Sequence, residues 1–184
     1  MTKKLVFVLL LFVSSVFFSG CAQKSQVSNM IVKEERLNIK CHSKLKGNLA
    51  IETVNGGQET NPLWTSQVAN QDFRQALEKS LQIYGLYTAD KNSKYAVSAY
   101  LQNLDQPLMG FDMTVIAQVR YQIVERKTNK IIFNQVISTP YTATVSDAFA
   151  GVERLRLANE GAIKSNIEEL IKKICTLHIN KITL

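Results

Sequence analysis

The chain reads as an α+β protein. The predicted architecture is a two-layer sandwich in the order β-α-β-β-β-α, a mostly antiparallel four-stranded sheet with two helices on one face. Three observations predict it. Residues 113–125 alternate apolar and polar with a period of two, as a strand does when one face is packed and the other wet. Residues 70–84 and the last third of the chain carry apolar side chains at helical spacing instead. Three strand patterns then follow the first helix in a row, which segregates helices from strands.

The first strand offers Leu49, Ile51, Thr53 and Val54 and stops at the turn signal Asn55-Gly56-Gly57. A loop, residues 55–65, leads to the first helix. Asn70 is its expected cap, and Asp72 lies in its first turn, where negative charge suits the helix dipole. Phe73, Ala76, Leu77, Ser80, Leu81 and Tyr84 make one narrow face, fit to pack on a sheet, and Gly85 is the expected left-handed terminator. Tyr95, Val97, Ala99 and Leu101 alternate in the second strand, up to Asp105-Gln106-Pro107. Val115, Ala117, Val119, Tyr121 and Ile123 form the inner face of the third. A polar turn over Arg126–Lys130 leads to the fourth, with Ile131, Phe133 and Ile137, and Tyr141–Val145 extends it past Pro140 as an edge or bulged segment. The last helix is expected from about Ser146 or Asp147 to about Leu177, with Ala162, Ile163, Ile167, Leu170, Ile171 and Ile174 buried. Gly161 marks a close approach. The outer sheet face is polar, either wet or covered by a partner.

The N-terminus has its own logic. Lys3 and Lys4 precede an apolar run from Leu5 to Phe18, which closes with Ser19-Gly20-Cys21. That is the layout of a secretory signal, and the run falls short of the roughly 20 apolar residues that span a bilayer. A cysteine just after the expected cut resembles the lipobox of bacterial lipoproteins, although Phe18 stands where Leu is usual. The resemblance implies cleavage before Cys21, acylation of Cys21, and location in the cell envelope. With Ala22 rather than Asp following, it implies the outer membrane, facing the periplasm. The expected organisation is a signal peptide over 1–20, a lipidated flexible tether over 21–36 and one domain over 37–184. Removing the signal leaves 164 residues, enough for one real core.

Charge excludes little. The chain has 22 Lys and Arg against 15 Asp and Glu, but no basic run dense enough for nucleic acid. Cys41 and Cys175 are expected to pair in an oxidising compartment, with two buried free thiols as the competing reading. A zinc site built with His42 and His178 is disfavoured, because adjacent Cys41 and His42 make a poor ligand pair. No metal or cofactor is expected.

Catalytic signals are lacking. No G-x-S-x-G or H-E-x-x-H spacing occurs, and Gly56-Gly57 reads as a turn rather than a phosphate loop. Glu52, Glu59, Asp105 and Asp112 are the candidate carboxylates, with Asp105 and Asp112 flanking one loop. They support the alternative of a lipid- or glycan-processing enzyme. The loops themselves draw more notice. Leu63, Trp64, Leu108, Met109, Phe111 and Phe149 are apolar where a loop should be polar. They either fold back as caps over the core or project as a partner- or lipid-binding patch. Glu153–Glu160 alternates charge along the last helix, as a solvated face or a charged rim.

The order of elements, taken with Cys21, resembles small envelope lipoproteins with α/β-sandwich domains. Examples are the lipoprotein that plugs the lipopolysaccharide-export barrel and the auxiliary lipoproteins of lipid-moving transporters. The resemblance implies a non-enzymatic binding or assembly subunit of an envelope or transport complex, held on a membrane by its lipid anchor, with an envelope protein as partner and no nucleic acid.

Overall fold

A computed structural model describes residues 21–177 except 38, 40 and 42. The signal segment and both histidines lie outside the described residues. A one-turn helix α1 (Val27–Met30) is followed by β1 (Leu49–Asn55), α2 (Asn70–Ile83), β2 (Tyr95–Asp105), β3 (Met113–Glu125), β4 (Lys130–Ala143) and α3 (Gly151–Cys175). The four strands form one sheet in the order β1-β2-β3-β4. β1 runs parallel to β2, and the other two pairs are antiparallel. A parallel pair needs a crossover, and α2 supplies it. The α+β two-layer reading therefore stands.

Local chemistry explains the ends of these elements. At the end of α2 the Gly85 N–H donates to the Gln82 carbonyl and the Leu86 N–H to the Leu81 carbonyl. This is the paired closure that a left-handed residue permits, and Gly85 has φ +65°. Gly56 is likewise left-handed at φ +86°, and a Cβ there would collide with the Leu101 carbonyl. β4 continues through Pro140, opposite Ile116, to Ala143. It can do so because it is an edge strand, where a missing N–H costs no ladder bond.

The core lies between the sheet and the helices. Val115, Ala117, Val119, Tyr121 and Ile123 of β3 meet Ala162, Ile163, Ile167, Leu170, Ile171 and Ile174 of α3, all without exposed surface. Asn166 pins α3 to the sheet, its amide donating to the carbonyls of Ala117 (3.0 Å) and Ile137 (2.9 Å). Gly161 sits against the Tyr141 ring, where a Cβ would not fit.

Three expectations need correction. Residues 21–36 are not a loose tether. Met30 and Val32 are fully buried, and the Val32 N–H donates to Ser80 Oγ at 2.9 Å. Polar neighbours masked the apolar run Met30-Ile31-Val32, of which the core takes up Met30 and Val32. Asn70 does not cap α2. Ala69 holds the cap position, and Asn70 Oδ1 instead accepts the Gly57 N–H at 2.7 Å, closing the preceding loop. The last helix begins at Gly151, not at Ser146 or Asp147. The Asp147 carboxylate accepts the Thr144 N–H (2.7 Å) and hydroxyl (2.9 Å), so a separate turn projects the segment around Phe149.

Candidate functional site

The parallel pair β1–β2, followed by the antiparallel β3 and β4, brings three loops to one end of the sandwich. They are residues 56–69 between β1 and α2, 106–112 between β2 and β3, and 144–150 between β4 and α3. These loops hold every residue singled out as apolar where a loop should be polar. Leu63, Trp64, Leu108, Met109, Phe111 and Phe149 are between 79% and 97% exposed, so none caps the core. Leu63, Trp64, Leu108 and Met109 border an open groove of about 600 Å³, floored by Met113, Val152 and Leu155.

The loops are exposed at their tips and fixed at their bases. Arg154, on the first turn of α3, is buried. Its guanidinium donates to the carbonyls of Ala148 (2.8 Å) and Phe149 (2.6 Å), and reaches that of Gly110 at 3.4 Å. One cation thus joins the loop of Phe149 to the loop of Leu108, Met109 and Phe111. Gln106 makes the second join. Its amide donates to the Ser66 carbonyl (2.9 Å) and to Asn159 Oδ1 (2.8 Å). Asn159 in turn donates to the Ser66 carbonyl at 2.9 Å.

Two residues further along α3, buried Arg156 pairs with Glu160 at 2.5 Å and with Glu153. The Arg156 hydrogen bonds hold the Glu153 carboxyl below the usual carboxylate range. The same partners, Glu153 first, raise the Arg156 pKa further. Glu160 also accepts from the Gln26 N–H (2.6 Å) and the Asn29 amide (2.8 Å), which ties the N-terminal segment to α3. A buried pair of this kind adds little net stability, but breaking it is costly.

Glu153–Glu160 is therefore neither a solvated face nor a rim. Sequence reasoning missed Gln106, Arg154, Asn159 and Glu160 as structural supports. A signal existed. Going back from Ile163 by three or four residues reaches Glu160 and Asn159, and by seven reaches Arg156, in phase with the buried stripe.

The remaining candidates are scattered. Cys21 is an exposed free thiol at the loop-bearing end, where the Ala22 N–H donates to the Pro62 carbonyl at 2.9 Å. Cys41 and Cys175 form a disulfide at the opposite end of α3, so these sulfurs are not free to ligate zinc. Asp105 and Asp112 are exposed, and neither makes a side-chain hydrogen bond or ion pair among the described residues. Glu52 pairs with Arg126 at 2.5 Å, on the sheet far from both. Among the described residues no three His, Cys, Asp or Glu side chains group to hold a metal, and no helix is long and apolar enough to cross a membrane.

The same fold occurs in solved bacterial proteins. One is a Xanthomonas campestris protein of the DUF330 family, 10% identical, with a TM-score of 0.53 over 70% of this chain and 82% of that one. A hypothetical protein from Chlamydia trachomatis is 10% identical, with a TM-score of 0.51 over 72% of this chain and 97% of that one. A Caulobacter crescentus protein described as a candidate lipoprotein is 12% identical, with a TM-score of 0.50 over 72% and 90%. At these identities the likeness is one of fold. No family model and no curated protein matches the chain.

Proposed function

We propose that this protein is an envelope lipoprotein, held on the membrane by an acylated Cys21, and that it works without catalysis as a binding or assembly subunit of an envelope or transport complex. The observation that carries this is the rim of six exposed apolar side chains on loops fixed by Arg154 and Gln106. Apolar side chains held this far into solvent are a contact surface waiting for an occupant. Trp64 is the natural anchor of such a surface. The sequence around Cys21 supplies the address, with Ala22 favouring the outer membrane, and the fold shared with a candidate lipoprotein agrees with it.

The test is purification from native membranes. Mass spectrometry of the N-terminus should find Cys21 as the first residue, carrying acyl chains. Cross-linking in the envelope should trap a protein partner of the anchored domain. An uncleaved, unacylated N-terminus would remove the lipoprotein reading, and the lack of any cross-linked partner would remove the assembly role.

A further inference from the structure

The lipid site and the apolar rim lie together. Ala22 is buried, and its N–H is bonded to the carbonyl of Pro62, the residue before Leu63 and Trp64. Ser25 is buried too, its hydroxyl bonded to the Gln67 carbonyl at 3.0 Å. No slack chain separates Cys21 from the folded body. Adjacent Cα atoms are about 3.8 Å apart, so an acyl group on Cys21 starts beside the loop of Leu63 and Trp64. A long leash would leave the orientation of the domain free, whereas an attachment this short holds one end of it against the bilayer.

We infer that the rim is a membrane-contact surface. Leu63, Trp64, Leu108, Met109, Phe111 and Phe149 enter the interfacial region of the same bilayer that receives the Cys21 acyl chains. The inference rests on the anchored reading above. Three features carry it beyond adjacency. Gln106 and Arg154 join the three loops, so seating Leu63 and Trp64 brings the other tips with them. The side-chain types are those that favour the boundary between headgroups and acyl chains, with Trp as the interfacial residue. Insertion also gives the apolar tips a surface that matches them in chemistry.

Charge sets the class of lipid. The exposed charges on these loops are mainly carboxylates, Glu59, Asp112 and Asp147. Attraction to anionic headgroups is therefore not the driving force. Contact is apolar, insensitive to salt, and served by a zwitterionic surface.

The chain has a single tryptophan, so Trp64 reports on the rim without labelling. The protein purified from membranes is reconstituted into phosphatidylcholine vesicles brominated along the acyl chain, after its N-terminal mass is read. Trp64 emission should be quenched several-fold and protected from acrylamide, and high salt should not reverse this. Changing Leu63, Leu108, Met109, Phe111 and Phe149 to Ser should abolish the quenching while the acylated protein stays on the vesicles. Equal acrylamide access with and without vesicles, in protein whose acylation is confirmed, overturns the inference. Shielding in native membranes but not in these vesicles also overturns it, since a protein then covers the rim. An N-terminus lacking acyl groups sinks the anchored reading separately. Bromine quenching of that protein on added vesicles would still support the rim, and its lack would overturn it.

Discussion

The two ends of the sandwich solve opposite problems. At one end Cys175, on the last turn of α3, is bonded to Cys41, and Leu45, Leu49 and Leu86 are fully buried nearby. That end is closed and cross-linked. At the other end the first turns of α2 and α3 meet three loops whose apolar tips stand in solvent. Polar groups are buried there instead, Arg154, Asn159 and Glu160 among them, bonded mainly to loop carbonyls and the N-terminal segment. The difference teaches that exposure at the rim is not looseness. A core-like network lies beneath it and points apolar side chains outward.

That contrast can be broken by mutation. Replacing Cys175 by Ser should cost most, because the bridge closes a loop of 134 residues. The chain-entropy model puts loops of that length near ~4–5 kcal/mol. Denaturant unfolding with and without reductant would read it, and coincident curves would mean that the closed end owes little to its cross-link. Glu160→Ala removes the buried acceptor shared by Arg156, Gln26 and Asn29 and leaves Arg156 paired only with Glu153, and a loss approaching the ~3–5 kcal/mol of a broken buried pair is expected. A loss below about 1 kcal/mol would show the rim's base to be soft.

Smaller effects sharpen the contrast. Gly161→Ala pushes a Cβ into the Tyr141 ring and should cost about 1–3 kcal/mol. Adding Tyr141→Ala should recover part of that, as the crowding atoms are gone. Acid should weaken the rim end. The folded-state pKa of Glu153 is depressed, first by its hydrogen bond from Arg156, and that of Asp147 by its bonds from Thr144. Their stabilisation is complete above the ordinary carboxylate range and is lost as pH falls through and below it. Thermal unfolding followed across the acidic range should show this slope, and Glu153→Gln should flatten part of it. Smallest of all, Leu108→Ser and Phe149→Ser should change stability by no more than about 0.5 kcal/mol. A loss of 2 kcal/mol or more in either, by the same unfolding curves, would return that side chain to the core.

Much of this was legible from residue order. The period-two run at Val115–Ile123 and the stripe at Ile163–Ile174 identified both layers, and Gly85 marked the end of α2. Local rules fail where one residue serves a distant partner. Asn70 has the chemistry of a cap, yet it bonds to Gly57 across the loop. Residues 21–36 are polar on average, and average polarity conceals Met30 and Val32, which the core absorbs. Arg154 and Glu160 look solvated as single residues, because a charge is buried only when the fold brings partners to it.

The sequence by itself determined the layer architecture, the element order, the lipobox-like cysteine and the unusual apolar loops. Periodicity and local composition encode those features within a few residues of one another. Only the tertiary structure decided that all six loop residues point outward at one end, on loops held by Arg154 and Gln106. It also decided that Cys21 adjoins them. Both facts depend on contacts across long separations in the chain, such as Ala22 with Pro62 and Gln106 with Asn159. No local pattern specifies which distant carbonyl a given donor will meet.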